Sequence, residues 1–402
     1  MNILFFNRSF YPDTEATGQF LTELCEDLSK FGHNITVIAG RSYYKSNQKF
    51  FLLKKEKYKS IEIIRACGTV FPKRFLILRI INLATYFLSA FVGGFTVKEK
   101  PNVIIALTDP PVLGLLGYFF SKWYKAKFVY SCKDIYPDIG IVTGKLKNPF
   151  INWLLKKINY FSFQSSAKVI CLGEDMKKTI IKKGVNENKI EVIHDWADTD
   201  MLCPVPPSKN PFRIKHNMQN YFTLMYSGNI GLSQELDKLI DVAERLKENK
   251  KIRFFLIGEG ADKKRLQKLV LDKILENVIF LPYQPYEELK YSLSASDIHM
   301  ITLQKGLAGL VVPSKIYGVM ACGKPFIALI DEESEIGNIV KQFNCGVVIP
   351  PGDIRNMIGA IKQVFDHPEM LLEMGVQGRK VAEKYFDREI SSKKFESVIS
   401  TL

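Results

Sequence analysis

Ile3-Leu4-Phe5-Phe6-Asn7 opens the chain, a loop follows, Phe20, Leu21, Leu24, Leu28 and Phe31 then recur on one helical stripe, and Ile35-Thr36-Val37-Ile38-Ala39 closes the unit. Short β-rich runs on either side of a helical pattern over residues 19–31 give a strand–loop–helix–strand unit. The same alternation continues, with strands expected at 61–65, 103–107, 127–131, 169–171 and 190–193. An α/β sheet with helices on both faces requires this order.

From residue 201 to 222 the pattern stops: Pro204, Pro206, Pro207 and Pro211 interleave with polar residues, and the stretch reads as an interdomain linker. A second alternation follows, with strands expected at 223–227, 253–257, 278–281, 298–301, 325–328 and 346–349. The expected organisation is one α/β domain over 1–200, a linker over 201–222 and a second over 223–385, with a helix over 386–402 packing back on the first. A length of 402 residues suits two domains with a cleft between them, and 47% hydrophobic residues supply two cores.

The chain carries 56 Lys and Arg against 42 Asp and Glu, and the excess is concentrated in residues 1–200, with 29 basic against 18 acidic side chains. Such a half can face nucleic acid, an anionic membrane or a phosphorylated substrate. No RNA-binding signature or helix-turn-helix stands out, so no nucleic-acid partner is expected. Seven dispersed cysteines without a Cys-x-x-Cys pair read as reduced thiols of a cytoplasmic protein, with no metal site expected. The opening strand lacks the n-region and cleavage site of a signal peptide. Residues 80–97 are free of charge, long enough to reach the lower bound for a membrane span. They follow Lys73, Arg74 and Arg79 and precede the strand at 103–107, so they read as a helix packed on the sheet and touching an anionic membrane surface from the cytoplasmic side.

Three loops carry the chemistry. The first, Arg8 through Asp13 and Thr14 to Gly18, leaves strand one, and ligands of open α/β sheets bind beyond the carboxyl ends of the strands. Gly18 lies just before the helical stripe, where a bare backbone admits a phosphate or a sugar, or simply turns the chain. The second, Ser227-Gly228-Asn229-Ile230-Gly231, places two glycines around a short polar side chain, with Asn229 and Gln234 able to bond an anion's oxygen. The third runs Gly309-Leu310-Val311-Val312-Pro313-Ser314-Lys315-Ile316-Tyr317-Gly318-Val319-Met320-Ala321-Cys322-Gly323-Lys324-Pro325. Ser314 is the expected N-cap of a helix running through Met320, ended by Gly323 and Pro325. Lys315 in the first turn opposes the helix dipole unless an anion is near, which makes this helix start the expected seat of a pyrophosphate.

These motifs, together with Lys133-Asp134-Ile135-Tyr136-Pro137-Asp138, Val192-Ile193-His194-Asp195-Trp196-Ala197-Asp198 and Gly258-Glu259-Gly260, resemble glycosyltransferase family 4 in their order over nearly the whole chain. The chain is most similar to the subgroup that includes bacterial fucosamine transferases of polysaccharide assembly. The resemblance implies the GT-B architecture, two Rossmann-like doubly wound domains facing across a cleft. It implies a retaining hexosyltransferase acting on a nucleotide-sugar, usually a UDP-sugar, without an obligatory metal or other cofactor, with a glycan or polyprenyl-linked acceptor in capsule or lipopolysaccharide synthesis. Asp134 and Lys315 take the catalytic positions. Thr17, Gly18, Asn229, Gly231, Gln234, Glu259, Tyr283, Gln284, Leu310, Val311, Val312, Pro313, Ser314 and Tyr317 line the donor, with Tyr283 and Gln284 at the base.

The chain departs from the family pattern at two places. Leu310 and Gly318 stand where many relatives carry two glutamates, and Asn229 and Gln234 stand where an arginine and a lysine are usual. Charge neutralisation then falls mainly on Lys315. Two further readings stay open: a catalytically silent nucleotide-sugar binder serving as an assembly partner, motivated by Leu310 and Gly318, and a nucleotide-sugar epimerase on the same architecture.

Overall fold

The computed structural model describes residues 1–13, 15–45, 48–51, 54–71 and 76–402. Thr14 of the first loop, and Lys73 and Arg74 before the apolar segment, lie outside the described residues. The chain divides into two compact units, Met1–His194 with Ser392–Leu402, and Asp195–Ser391.

The first unit is built on an eight-stranded sheet. Its strands are β1 (Asn2–Phe6), β2 (Asn34–Gly40), β5 (Lys55–Tyr58), β6 (Ile61–Ala66), β7 (Val103–Leu107), β8 (Lys127–Ser131), β9 (Lys168–Cys171) and β10 (Ile190–Val192), and β3 (Ser42–Lys45) with β4 (Gln48–Phe51) forms a separate hairpin. The order is β10-β9-β8-β7-β1-β2-β6-β5, parallel except for β5, which pairs antiparallel with β6. Ile3 to Phe6 and Val103 to Leu107 are buried throughout, as strands covered on both faces must be. The chain moves one way from β1 to β2 and the other way from β6 to β7, β8 and β9. Right-handed crossovers therefore put helix Ala16–Lys30 on one face and helices Leu76–Gly94, Leu113–Tyr124 and Pro149–Ser165 on the other.

The apolar segment is helix Leu76–Gly94, packed on β2 and β6 as expected. Among the described residues no helix is long and apolar enough to cross a membrane. From Ser392 onward the last helix, Arg388–Ser400, belongs to the first unit, where the Ser392 hydroxyl donates to Asp27 at 2.9 Å.

The second unit holds a six-stranded parallel sheet of β11 (Phe222–Ser227), β12 (Ile252–Ile257), β13 (Val278–Leu281), β14 (Ile298–Thr302), β15 (Phe326–Leu329) and β16 (Gly346–Ile349). Its order is β13-β12-β11-β14-β15-β16, so the direction of winding reverses between β11 and β14. Ligands of such sheets bind outside the carboxyl ends at that switch point.

The proline-rich stretch is not a free linker. The division falls at Asp195, and residues 201–222 belong to the second unit. Asn210 is buried and caps a short helix, Pro211–Lys215, by accepting from the amides of Phe212 and Arg213. Arg213 is buried too, and its guanidinium reaches Asp297 at 3.3 Å while donating to the Ala295 carbonyl. Asp297 also accepts from the Thr223 amide and hydroxyl, each at 2.8 Å, tying the prolines to the first strand of this sheet. Removing one partner of a buried pair leaves the other charge uncompensated, so Arg213→Ala is expected to lower the unfolding free energy by about 3–5 kcal/mol. Urea denaturation followed by tryptophan fluorescence checks this, and an unchanged midpoint would show that the cluster anchors nothing.

Candidate active site

Four loops leave the carboxyl edge of the second sheet near its switch point. Gly228 follows β11 at φ +145°, and Gly258 follows β12 at φ +147°, both in the region that favours glycine. The two turns interlock. A Cβ on Gly258 would stand 1.9 Å from the Gly228 carbonyl oxygen, and one on Gly260 would stand 2.1 Å from that of Ile230. Backbone bonds hold them so: the Gly228 amide donates to the Ile257 carbonyl, and the Ile230 amide to that of Glu259, each at 2.9 Å. Asn229 and Gln234 flank Gly231, where an added Cβ would meet Gln234 Oε1 at 2.9 Å and Asn229 Nδ2 at 3.0 Å.

Lys315 reaches this same turn. Its Nζ lies 3.7 Å from the centroid of the buried Tyr226 ring and beside Gly228, where an added Cβ would stand 3.0 Å from it. The Tyr226 hydroxyl donates to the Asn229 carbonyl at 2.7 Å, so ring and loop are one assembly. Among the described residues no carboxylate pairs with Lys315. Burial alone pushes its ammonium down to about 7.

Ser314 does not cap the helix. It already has helical backbone angles and makes no capping bond, and the helix, Lys315–Ala321, has seven residues. So short a helix contributes little dipole, and the positive charge of this corner comes from the lysine side chain. The expected end is in place: Gly323 donates to the Met320 carbonyl and Lys324 to that of Val319.

Leu310 and Val312 are buried, Val311 and Pro313 partly so. Tyr317 is buried within the second unit with its ring 5.0 Å from Phe386, beneath the loop rather than on it. Gly318 faces Leu293 and Leu202 methyl groups, surroundings that suit no carboxylate. Tyr283 is exposed and Gln284 folds its amide onto the Pro282 carbonyl at 2.8 Å, both at the end of β13. Glu259 is bound by Lys263 at 2.7 Å, and the same ammonium donates to the Gly258 carbonyl at 2.9 Å. Lys263 escaped the sequence reading, although its place five residues after Gly258, at a helix start, was a signal.

In the first unit the helix begins at Ala16, so Gly18 lies within its first turn rather than before it. Its bare face is turned to the backbone of Ser9 and Phe10, where a Cβ would come within 3.2–3.3 Å. Gly18 thus lets the first loop lie close on the helix, with half-buried Thr17 beside it. Asp134 stands in the loop after β8, half-buried, and its amide and that of Lys133 donate to the Thr108 hydroxyl at 3.2 and 3.1 Å. The sequence reading missed the ion pair between Arg8 and Asp109 at 3.0 Å, which joins the ends of β1 and β7 and raises the Arg8 pKa. Ser9 adds a bond to Asp109 at 2.9 Å. No spacing in the sequence couples residues a hundred positions apart.

Among the described residues no group of three or more His, Cys, Asp or Glu is placed to hold a metal ion. What the geometry offers is an ammonium, two glycine turns and two amide side chains at the switch point of a parallel sheet, in a chain of two such sheets. Such a corner suits an anion at the end of a doubly wound sheet. Residues 17–201 match the family Glycosyltransferase Family 4 and residues 208–381 match Glycosyl transferases group 1, and the chain belongs to the family 4 glycosyltransferases, with the GT-B fold. It is similar to WcaI of Escherichia coli (strain K12), described as a colanic acid biosynthesis glycosyl transferase, with 25% identity over 97% of each chain. It is similar also to WbjE of Pseudomonas aeruginosa, described as a glycosyltransferase, with 26% identity over 76% of each. Its fold matches Anabaena HepE, solved in complex with UDP, at a TM-score of 0.74 and 15% identity over the whole of both chains.

The lowered Lys315 pKa has a signed consequence for anion binding. A bound diphosphate favours the ammonium, so above about pH 7 the free protein must take up a proton on binding. UDP affinity is therefore expected to fall as pH rises through 7, by up to about tenfold per pH unit. Calorimetric titration at pH 8 in two buffers of different ionisation heat should show uptake of about one proton, absent in Lys315→Met. Equal heats in both buffers would refute the assignment.

Proposed function

We propose that the chain transfers a sugar, with retention of anomeric configuration, from a UDP-sugar to a glycan or polyprenyl-linked acceptor in surface polysaccharide synthesis, on the cytoplasmic side of the cell membrane. The observation that carries this is the Lys315 ammonium, held against Tyr226 and the Gly228 turn with no carboxylate paired to it among the described residues. Breaking a glycosyl–phosphate bond puts positive charge on the anomeric carbon and negative charge on the departing diphosphate. A cation fixed where that charge develops stabilises the transition state more than the ground state.

In this reading Asn229, Gln234 and the backbone of the Gly228 and Gly231 turn hold the diphosphate beside Lys315, and Tyr283 and Gln284 lie at the base. Leu310, Val311, Val312, Pro313 and Ser314 offer backbone groups to the sugar, since Leu310 and Gly318 bring no carboxylate. On the first unit, taken by itself, Thr17 and Gly18 present backbone and Asp134 a carboxylate for contacts to substrate. The leaving phosphate oxygen takes the acceptor's proton on the face it departs from, so retention requires no protein base and the scheme uses no metal. The seven cysteines are all free, in keeping with a reducing compartment. The polysaccharide assignment of WcaI supports the class of acceptor.

The missing carboxylates at Leu310 and Gly318 favour one second reading, a silent nucleotide-sugar binder. Turnover of radiolabelled UDP-sugars by the purified protein separates the two. Transfer to a lipid-linked or glycan acceptor is expected, with kcat/KM lowered by roughly 100-fold or more in Lys315→Met. UDP binding without transfer to any acceptor would establish the silent binder instead.

A further inference from the structure

Helix Pro149–Ser165 carries large apolar side chains on its solvent face. Its solvent face carries Phe150, Trp153, Leu154, Tyr160 and Phe161, all exposed, with Phe150 at 67% and Trp153 at 55%. Its inner face carries Phe163, fully buried against Tyr130, together with polar side chains that bond to backbone: Asn159 donates to the Tyr136 carbonyl, Asn152 to that of Leu146, and Ser162 to that of Ile158. A surface helix of a globular protein keeps its solvent face polar.

Its neighbours on the same face of the sheet share the property. In helix Leu76–Gly94, Ile81, Leu88 and Val92 form an exposed apolar stripe at helical spacing, continued by Phe95 just past its end. In helix Leu113–Tyr124 the exposed ring residues are Phe119 and Trp123, the latter at 61%. Ring contacts make one surface of the three: Phe95 meets Trp123 at 5.2 Å, and Tyr118 meets Phe161 at 4.9 Å.

The sequence around these helices is basic, although Arg65, Lys98 and Lys168 pair with Glu56, Glu62 and Glu191. Residues 63–98, 110–133 and 139–173, which contain all three helices, hold fourteen Lys and Arg and no Asp or Glu. Lys122, Lys125, Lys156 and Lys157 are exposed on or beside the apolar stripes. An apolar protein partner would leave these cations unanswered, whereas a bilayer of anionic phospholipid answers both features. Aromatic side chains partition into the headgroup region and lysines extend to the phosphates.

We propose that these three helices form a docking platform on which the first unit lies against an anionic phospholipid surface, without crossing it. The platform shares no residue with the donor site, so it stands or falls separately from the transfer reaction. Each lysine near the surface contributes about fivefold to partitioning at low salt, and the rings supply a part that salt leaves in place.

The test is co-sedimentation of the full chain with vesicles of phosphatidylcholine alone and of phosphatidylcholine mixed with phosphatidylglycerol. Binding to the mixed vesicles is expected, and it should weaken as salt rises. Trp123→Ser with Trp153→Ser should lower partitioning at least about tenfold at every salt concentration. Lys156→Gln with Lys157→Gln should lower it at low salt only. An unchanged thermal melt by circular dichroism shows that each variant retains its fold. No binding to mixed vesicles, or binding indifferent to both pairs, would overturn the proposal. So would a wild-type dimer that the tryptophan pair dissolves in sedimentation velocity, since the surface would then join two copies of the chain.

Discussion

A lysine ammonium held on the face of a buried tyrosine, with no carboxylate paired to it among the described residues, is the interaction on which the candidate site turns. Lys315 spends solvation to lie beside Tyr226, and burial pushes its pKa to about 7. Attraction to the ring quadrupole returns only a part of that cost. The remainder favours the neutral amine until an anion arrives, which in the proposed reading is the donor's diphosphate. The geometry around it is fixed by backbone rather than by charge. Gly228 and Gly258 take conformations that side chains disfavour, and each is pressed against the other's turn so closely that no Cβ fits at Gly258.

The same economy governs where polar groups lie in the two units. In the second, Arg213 and Asp297 are drawn into the interior because together they close the start of β11 against the proline-rich segment. In the first, Asn152, Asn159 and Ser162 are turned inward beside the buried Phe163 to bond loops and helix backbone, while Phe150, Trp153, Tyr160 and Phe161 of that helix stay exposed. Inward polarity is satisfied in both cases by specific partners, as burial demands. Outward, the exposed rings meet one another and a neighbouring helix, as Phe150 stacks on Trp153 and Phe161 meets Tyr118.

Strands covered on both faces announce themselves as short apolar runs, and every expected strand of both sheets is present, most shifted by a residue at an end. The strand Lys55–Tyr58 and the hairpin before it were not legible, because an edge strand carrying Lys55, Glu56 and Lys57 has no apolar pattern to read. The proline-rich stretch, expected as a linker, is part of the second unit instead: Pro211 starts a short helix, as proline can at a first helical position, and buried Asn210 and Arg213 hold it to Tyr291 and Ala295. At the site, glycines and the lysine were legible as residue types, since strand–glycine–helix turns have a sequence signature. Ser314 looked like a cap because of its chemistry and failed as one because the chain is already helical there. Lys315's ring partner, ninety positions away, and the Arg8–Asp109 pair have no local signature at all.

The most direct measurement is a crystal structure of the protein with UDP. The account predicts a diphosphate oxygen about 3 Å from Lys315 Nζ, with amides of the Gly228 to Gly231 turn on the same group. A diphosphate bound elsewhere, with Lys315 still stacked on Tyr226 and making no contact to it, would contradict the central claim.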